Sequence, residues 1–328
     1  MYRVGIVGCG GIAQVHATVL SGLEETALVA CADIRPERAQ IMAEKYQCHA
    51  YFSLEDMLDG EQLDAVHICT PHYLHVPMAL QIAKKGAAVF MEKPPLITRE
   101  QWPQLEQAAA MTNLGICFQN RFNPNVQEAR RLIASGQYGV VKGARAMVTW
   151  HRTAPYYLDS GWRGTWETEG GGALINQTIH TLDLLIYLLG KADFVEARMS
   201  NHHLKGVIEV EDTVEAYLSL QGKPALFYAT TAYVQDEPVL LEIALEKATL
   251  RLESDVLEIR TRNGAEQKRF VLPKGLGKDY WGTGHQACIE EFYRCMKEEE
   301  PFLNRIDTIR DTAEAMLQIY EQSKKDLQ

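Results

Sequence analysis

Gly8-Cys9-Gly10-Gly11-Ile12-Ala13 spells G-x-G-x-x-[G/A], closing an apolar run and opening a helix-like pattern. In that setting the first Gly permits a tight turn, Gly10 lets the backbone approach a pyrophosphate, and small Ala13 lets the helix pack closely on its strand. The helix N-terminus then offers its unpaired N–H groups to the phosphates. Asp33 ends the next apolar run, twenty residues beyond Ala13. A carboxylate there accepts hydrogen bonds from ribose hydroxyls and repels a 2′-phosphate, which favours NAD over NADP. Arg35 and Arg38 could clamp such a phosphate, and they keep NADP as the alternative.

Two further clusters could carry proton chemistry. Met91-Glu92-Lys93-Pro94-Pro95 terminates a later apolar run, Ala87 to Phe90, and strand ends of this kind deliver side chains to the cofactor face of an α/β sheet. A partly desolvated Lys93 there could take a proton from a hydroxyl, although a lysine before proline is also an ordinary solvated turn residue. The second cluster follows Gly170-Gly171-Gly172, where Asn176, His180 and Asp183 stand at i, i+4 and i+7. On a regular helix they share one face, with His180 as a general base whose tautomer Asp183 fixes. The competing readings are a core histidine satisfied by Asp183 and a metal ligand. Asn is a poor ligand and no second histidine accompanies the trio, so no metal is expected.

These residues need a scaffold, and the periodicity supplies one. Apolar runs at Tyr2–Gly8, Ala27–Asp33, Asp64–Thr70, Ala87–Lys93 and Leu114–Gln119 alternate with amphipathic stretches at 12–20, 36–46, 54–58, 75–85 and 100–111. Runs with little polar alternation, separated by helices, predict a doubly wound parallel sheet. A helix over 126–134, a strand over 140–150, an aromatic loop and a helix over 172–189 follow. Then come strands at 194–199, 213–220, 225–233, 240–245, 249–253, 256–262 and 268–272 without helices between them, which points to an antiparallel sheet. Helices at 286–297 and 308–324 finish the chain. The fold class is therefore α/β plus α+β.

At 328 residues the chain has room for two domains, and 46% hydrophobic with 23% charged residues is ordinary for a globular protein. Lys plus Arg number 33 against 43 Asp plus Glu, a net charge of −10, which repels nucleic-acid phosphates and anionic lipid. No apolar run approaches the ~18 residues a membrane span needs. Arg3 before Val4–Ala13 is faintly signal-like, but the glycines there serve the phosphate loop better. Seven scattered cysteines, none spaced Cys-x-x-Cys, suit buried thiols in a reducing cytoplasm.

Taken in order, the loop at Gly8, Thr70-Pro71-His72-Tyr73-Leu74-His75, Glu92-Lys93-Pro94 and the triple-glycine helix with His180 make the chain resemble the Gfo/Idh/MocA family of NAD(P)-dependent oxidoreductases over its whole length. The resemblance implies a Rossmann domain over 1–121 that holds NAD. It implies a second domain over 122–328 for substrate and oligomer contacts, with the C-terminal helices packing back on the first. Homodimers or homotetramers through the open sheet are implied, and the substrates are sugars, polyols and nucleotide-linked sugars. It implies that Lys93 and His180 form the acid/base pair and that Thr70, Pro71 and His75 line the nicotinamide half, with Glu92 beside it. Gln119 and the pair Trp162–Arg163 would reach the cofactor, as would the loop residues Gly8 to Ala13, Asp33, Arg35 and Lys93. Lys93, Arg121, Asn176 and His180 would touch substrate. One departure stands out: Asn176 occupies a position where many members carry Asp, so a second carboxylate base is absent there. The segment from Tyr156 to His180 is most similar to the branch acting on nucleotide-linked sugar acids. Three functions fit: a dehydrogenase of a secondary hydroxyl, an NAD-dependent glycosidase working by transient oxidation and elimination, and a regulator that binds NAD without catalysis.

Overall fold

In the computed structural model the chain forms two compact units, Met1–Gln119 with Lys274–Ile309, and Asn120–Pro273 with Arg310–Gln328. The structure describes residues 1–270 and 283–327. Among these, no helix is long and apolar enough to cross a membrane.

The first unit is built on six parallel strands: β1 (Tyr2–Val7), β2 (Thr26–Ala32), β3 (His49–Tyr51), β4 (Ala65–Ile68), β5 (Ala88–Glu92) and β6 (Leu114–Cys117), in the order β3-β2-β1-β4-β5-β6. The helices α1 (Gly11–Gly22), α2 (Pro36–Tyr46), α3 (Leu54–Gly60), α4 (His75–Lys84) and α5 (Trp102–Met111) connect them. Successive residues such as Ile6, Val7 and Val89, Phe90, Met91 are all buried, so these strands are covered on both faces. β3 has no apolar run, only His-Ala-Tyr, and periodicity alone does not predict it. It pairs with β2 in the register Ala30–His49 to Ala32–Tyr51.

Strand order reverses between β1 and β4, and in open α/β sheets ligands settle in the crevice beyond that switch point. Gly8 lies there with φ +87°, and a Cβ on it would stand 2.6 Å from the carbonyl oxygen of Cys69. Only glycine lets the turns after β1 and β4 approach this closely. The later segment of the unit covers the free edge: Ile116 N–H donates to the Asn304 carbonyl, and Asn304 Nδ2 donates to the Phe118 carbonyl. Phe292 and Phe302 pack on Phe90 with ring centroids 5.1 and 6.2 Å away.

The second unit holds α6 (Pro124–Ala134), β7 (Val141–Thr149), α7 (Ala154–Leu158), a π-helical turn at Ala173–Thr178, and α8 (Ile179–Leu189). β8 (Ala192–Ser200), β9 (Thr213–Leu220), β10 (Lys223–Thr230), β11 (Leu240–Leu245), β12 (Thr249–Glu253), β13 (Val256–Thr261) and β14 (Gly264–Arg269) follow. With β7 they form an eight-stranded sheet, antiparallel except where β10 runs parallel to β7. Alternation along β9 buries Val214, Ala216 and Leu218 while Glu215 and Tyr217 face out. The strand expected at 268–272 begins earlier, because the turn after Thr261 pairs Thr261 directly with Gly264. Positions 271 and 272 of that expectation lie outside the described residues.

Candidate active site

Gly10 caps α1 without a side-chain hydrogen bond, and no acidic residue occupies the first turn. The leading N–H groups of the helix thus have no internal anion to satisfy them. A Cβ built on Gly10 would meet nothing within 4 Å, so the backbone there borders open space that a diphosphate can fill. Ala13 is fully buried beneath the loop. Cys9 is buried too, while Gly11 is exposed and Ile12 half-buried. Asp33 accepts from the backbone N–H of Cys9 at 2.8 Å and from that of Arg35 at 2.8 Å, tying the glycine loop to the end of β2. Arg35 itself is exposed at the start of α2. These residues fit a dinucleotide with its ribose at Asp33.

Around the ends of β4 and β5 the side chains sort into surface and support. Thr70 and Pro71 are half-buried and follow β4 directly. His75, expected beside the nicotinamide, is only 1% exposed, and its ring nitrogens stand 2.9 Å from the carbonyls of Thr70 and Pro94. It fastens the two turns together from within and has almost no surface to offer a cofactor. Gln119, expected to reach the cofactor, is similarly buried, with Cys117 Sγ 3.8 Å from its Oε1. Lys93 is half-buried, and the Lys93–Pro94 bond is cis.

Beneath Lys93 runs a buried chain of hydrogen bonds absent from the spacing argument. Glu92 Oε1 lies 3.0 Å from His16 Nε2, His16 Nδ1 lies 2.8 Å from His67 Nδ1, and His67 Nε2 lies 2.8 Å from the Tyr293 hydroxyl. A consistent assignment has Tyr293 donating to His67, His67 to His16, and His16 to Glu92. Burial pushes the Glu92 carboxyl up, yet the hydrogen bond from His16, with the Lys93 charge nearby, outweighs it and holds it below the usual range. His285, whose role the sequence leaves open, is buried nearby, and burial takes its pKa down to about 4. His16, Glu92 and Cys117 place ligand atoms within 4.8 Å of one another, but His16 and Glu92 already satisfy each other.

In the second unit the regular helix expected from Gly172 is replaced by the π-helical turn, and the expected polar face breaks up. Asn176 and His180 are half-buried, whereas Asp183 turns inward and is 1% exposed. Asp183 receives Arg121 Nε at 2.8 Å, Arg121 Nη2 at 2.5 Å and the Thr312 hydroxyl at 2.7 Å. Its carboxylate is therefore committed to Arg121, not to orienting His180. Arg121, expected to touch substrate, is itself 1% exposed and holds Asp183 in the interior.

The start of the π-turn rests on two carboxyls that sequence reading missed. Glu211 accepts from the N–H groups of Gly172 and Leu174 at 3.0 and 2.9 Å and from the Tyr320 hydroxyl at 3.0 Å. A Cβ on Gly171 would sit 2.1 Å from the Tyr320 hydroxyl oxygen, and one on Gly172 2.0 Å from the Glu211 carbonyl oxygen, which explains the glycine run. Glu169, fully buried, accepts from Gly164 N–H at 2.6 Å and from Asn176 Nδ2 at 2.5 Å. Burial raises Glu169 to about 8 and Glu211 to about 7, against the hydrogen bonds that favour their charged forms. No spacing rule marks either residue; Glu169 is visible only as a carboxyl abutting three glycines. Trp162 and Arg163 are half-buried, the guanidinium carbon 4.4 Å from the Tyr156 ring centroid and 4.8 Å from that of Trp162.

Residues 2–118 match the family model described as an oxidoreductase family with an NAD-binding Rossmann fold, and 126–251 match the GFO/IDH/MocA C-terminal domain. D-glucoside 3-dehydrogenase of Escherichia coli is 33% identical over 195 residues, covering 57% of this chain and 54% of that protein. Over 271 residues, an uncharacterized oxidoreductase of Synechocystis is 30% identical, covering 78% of this chain and 72% of that one. The chain thus spans about half the length of the first of these and nearly three quarters of the second. Among solved structures, the WlbA dehydrogenase from Bordetella pertussis in complex with NADH and UDP-GlcNAcA superposes with a TM-score of 0.85 at 27% identity, covering 99% of this chain and 97% of that one.

Proposed function

Because the chain belongs to the Gfo/Idh/MocA family of oxidoreductases, with its NAD-binding Rossmann domain, we propose that it oxidises a secondary hydroxyl of a carbohydrate, with Lys93 and His180 as the acid/base residues. Bound NAD would supply the hydride acceptor. Lys93, half-buried at the end of β5, takes the hydroxyl proton. His180 shares the transfer. Asn176, on the same π-helical segment, contacts the sugar, and Arg163 with its flanking rings contributes to the cofactor or sugar surface. The observation that carries this reading is the delivery of Lys93 by the carboxyl end of β5, next but one to the phosphate-loop strand β1.

Among carbohydrates, nucleotide-linked sugar acids are the proposed class. The likeness of nearly the whole chain to a dehydrogenase solved with UDP-GlcNAcA supports it, as does the Tyr156-to-His180 segment. The open sheet face supports a homo-oligomer: Phe194, Tyr217 and Leu226 are 52, 41 and 59% exposed, and Phe194 and Tyr217 meet edge to face at 6.3 Å.

The test is NADH absorbance on mixing the protein and NAD with nucleotide sugars, sugar acids, free sugars, polyols and glycosides. A rise with a nucleotide-linked sugar acid is expected. A rise only with another class moves the substrate, while silence across the panel with NAD bound defeats net oxidation and directs the assay to a released aglycone.

For the cofactor half, Asp33→Ala is expected to weaken NAD by about tenfold or more, since hydrogen bonds to a charged group are worth ~1.5–3 kcal/mol. It also removes the charge that repels a 2′-phosphate, so the ratio of NADP to NAD affinity rises. Calorimetric titration with both nucleotides reads the ratio, and an unchanged value removes Asp33 from the ribose site.

A further inference from the structure

Asn176 is the point at which this chain departs from a second carboxylate base, yet a carboxyl lies one hydrogen bond behind it. Glu169 Oε1 holds Asn176 Nδ2 at 2.5 Å, and its other oxygen is pinned by the Gly164 N–H at 2.6 Å. With Oε2 engaged by a backbone donor, a proton arriving on this carboxyl goes to Oε1, facing Asn176. A carboxylate there accepts from the amide nitrogen, whereas a carboxylic acid donates and needs the amide oxygen opposite it. The two charge forms therefore call for opposite rotations of one amide.

We propose that Glu169 is a positioning residue that sets which end of the Asn176 amide is turned toward substrate: the carbonyl oxygen when Glu169 is ionised, the NH2 group when it is protonated. The inference rests on the carbohydrate reading only for the statement that Asn176 meets substrate. Arg163 favours its ionised form and Glu211 opposes it, while the hydroxyls of Tyr157 and Tyr320 are near enough to feel its charge. Burial raises the carboxyl to about 8, which puts the change of amide orientation in the neutral to mildly alkaline range.

The test begins without substrate. Protein carrying 15N-asparagine shows its side-chain amides in a proton–nitrogen correlation spectrum, and Asn176→Ser identifies the Asn176 pair by its loss. That pair is expected to titrate with one midpoint in the unmutated protein and to stand still in Glu169→Gln. An Asn176 resonance that does not move between about pH 6 and 9 in the unmutated protein overturns the proposal, whether or not any sugar is oxidised. So does an identical movement in Glu169→Gln. With a substrate in hand, KM is expected to change about three- to tenfold across the same midpoint, the worth of one hydrogen bond. The change lies in KM, not kcat, and Glu169→Gln flattens it; a KM that stays level in the unmutated protein also overturns the substrate-facing part. If the amide titrates but the sugar panel is silent, the Glu169–Asn176 coupling stands and the carbohydrate reading falls.

Discussion

Lys93→Ala is expected to lower turnover by about 10²- to 10⁴-fold, the usual worth of a positioned general acid or base, while NAD affinity changes little. Lys93→Arg should be nearly as inactive: a guanidinium keeps the positive charge but cannot give up its proton in the working range. The pair of variants separates proton transfer from electrostatics, because a charge-only role would be largely restored by Arg. Small primary amines added to Lys93→Ala should return part of the rate, with a dependence on amine basicity. Turnover within threefold of the unmutated protein in Lys93→Ala would sink the assignment. NAD binding, followed separately by fluorescence, guards against a trivial loss of cofactor.

The second large effect concerns stability. Asp183→Ala is expected to cost about 3–5 kcal/mol, because it removes the carboxylate that Arg121 Nε and Nη2 bond in the interior. Arg121 and Asp183 are each 1% exposed and joined through two nitrogens, and Arg121 also stacks 4.7 Å from the Tyr187 ring centroid. For a unit of this size the cost corresponds to a fall of roughly 10 °C in the melting of the second unit. Arg121→Met with Asp183→Leu should recover most of it, since an apolar pair carries no desolvation penalty. Scanning calorimetry of the single and double variants checks both statements. A loss below about 1 kcal/mol for Asp183→Ala would mean that water or another group compensates Arg121.

The cofactor half of the site was legible because its chemistry is local. A glycine loop needs neighbours within six residues, and Asp33 needs only the length of one strand-helix-strand unit to find its place. The chain from Glu92 to Tyr293 was not legible, since its four members are spread over the whole length of the sequence and are joined only by folding. The Asn176–His180–Asp183 face failed for a different reason. A shared face at i, i+4 and i+7 requires 3.6 residues per turn, and the π-turn at Ala173–Thr178 breaks that period. Asp183 was read as a partner for the nearest histidine in sequence, but a buried carboxylate goes to the strongest available cation, and Arg121 lies 62 residues away. β3 escaped because three residues cannot show a period, and Glu169 because burial, which makes it interesting, leaves no mark on composition.

The first unit is not contiguous: Met1–Gln119 is completed by a segment that ends at Ile309. During synthesis at ~5–20 residues per second, the wait between the two parts is on the order of ten to forty seconds. Throughout that interval His67 lacks Tyr293, the backbone of Ile116 and Phe118 lacks Asn304, and Phe90 lacks the rings of Phe292 and Phe302. A nascent chain therefore carries an unsealed sheet edge and an uncovered aromatic face while the second unit is still being translated. A slow codon placed before residue 283 would lengthen that exposure.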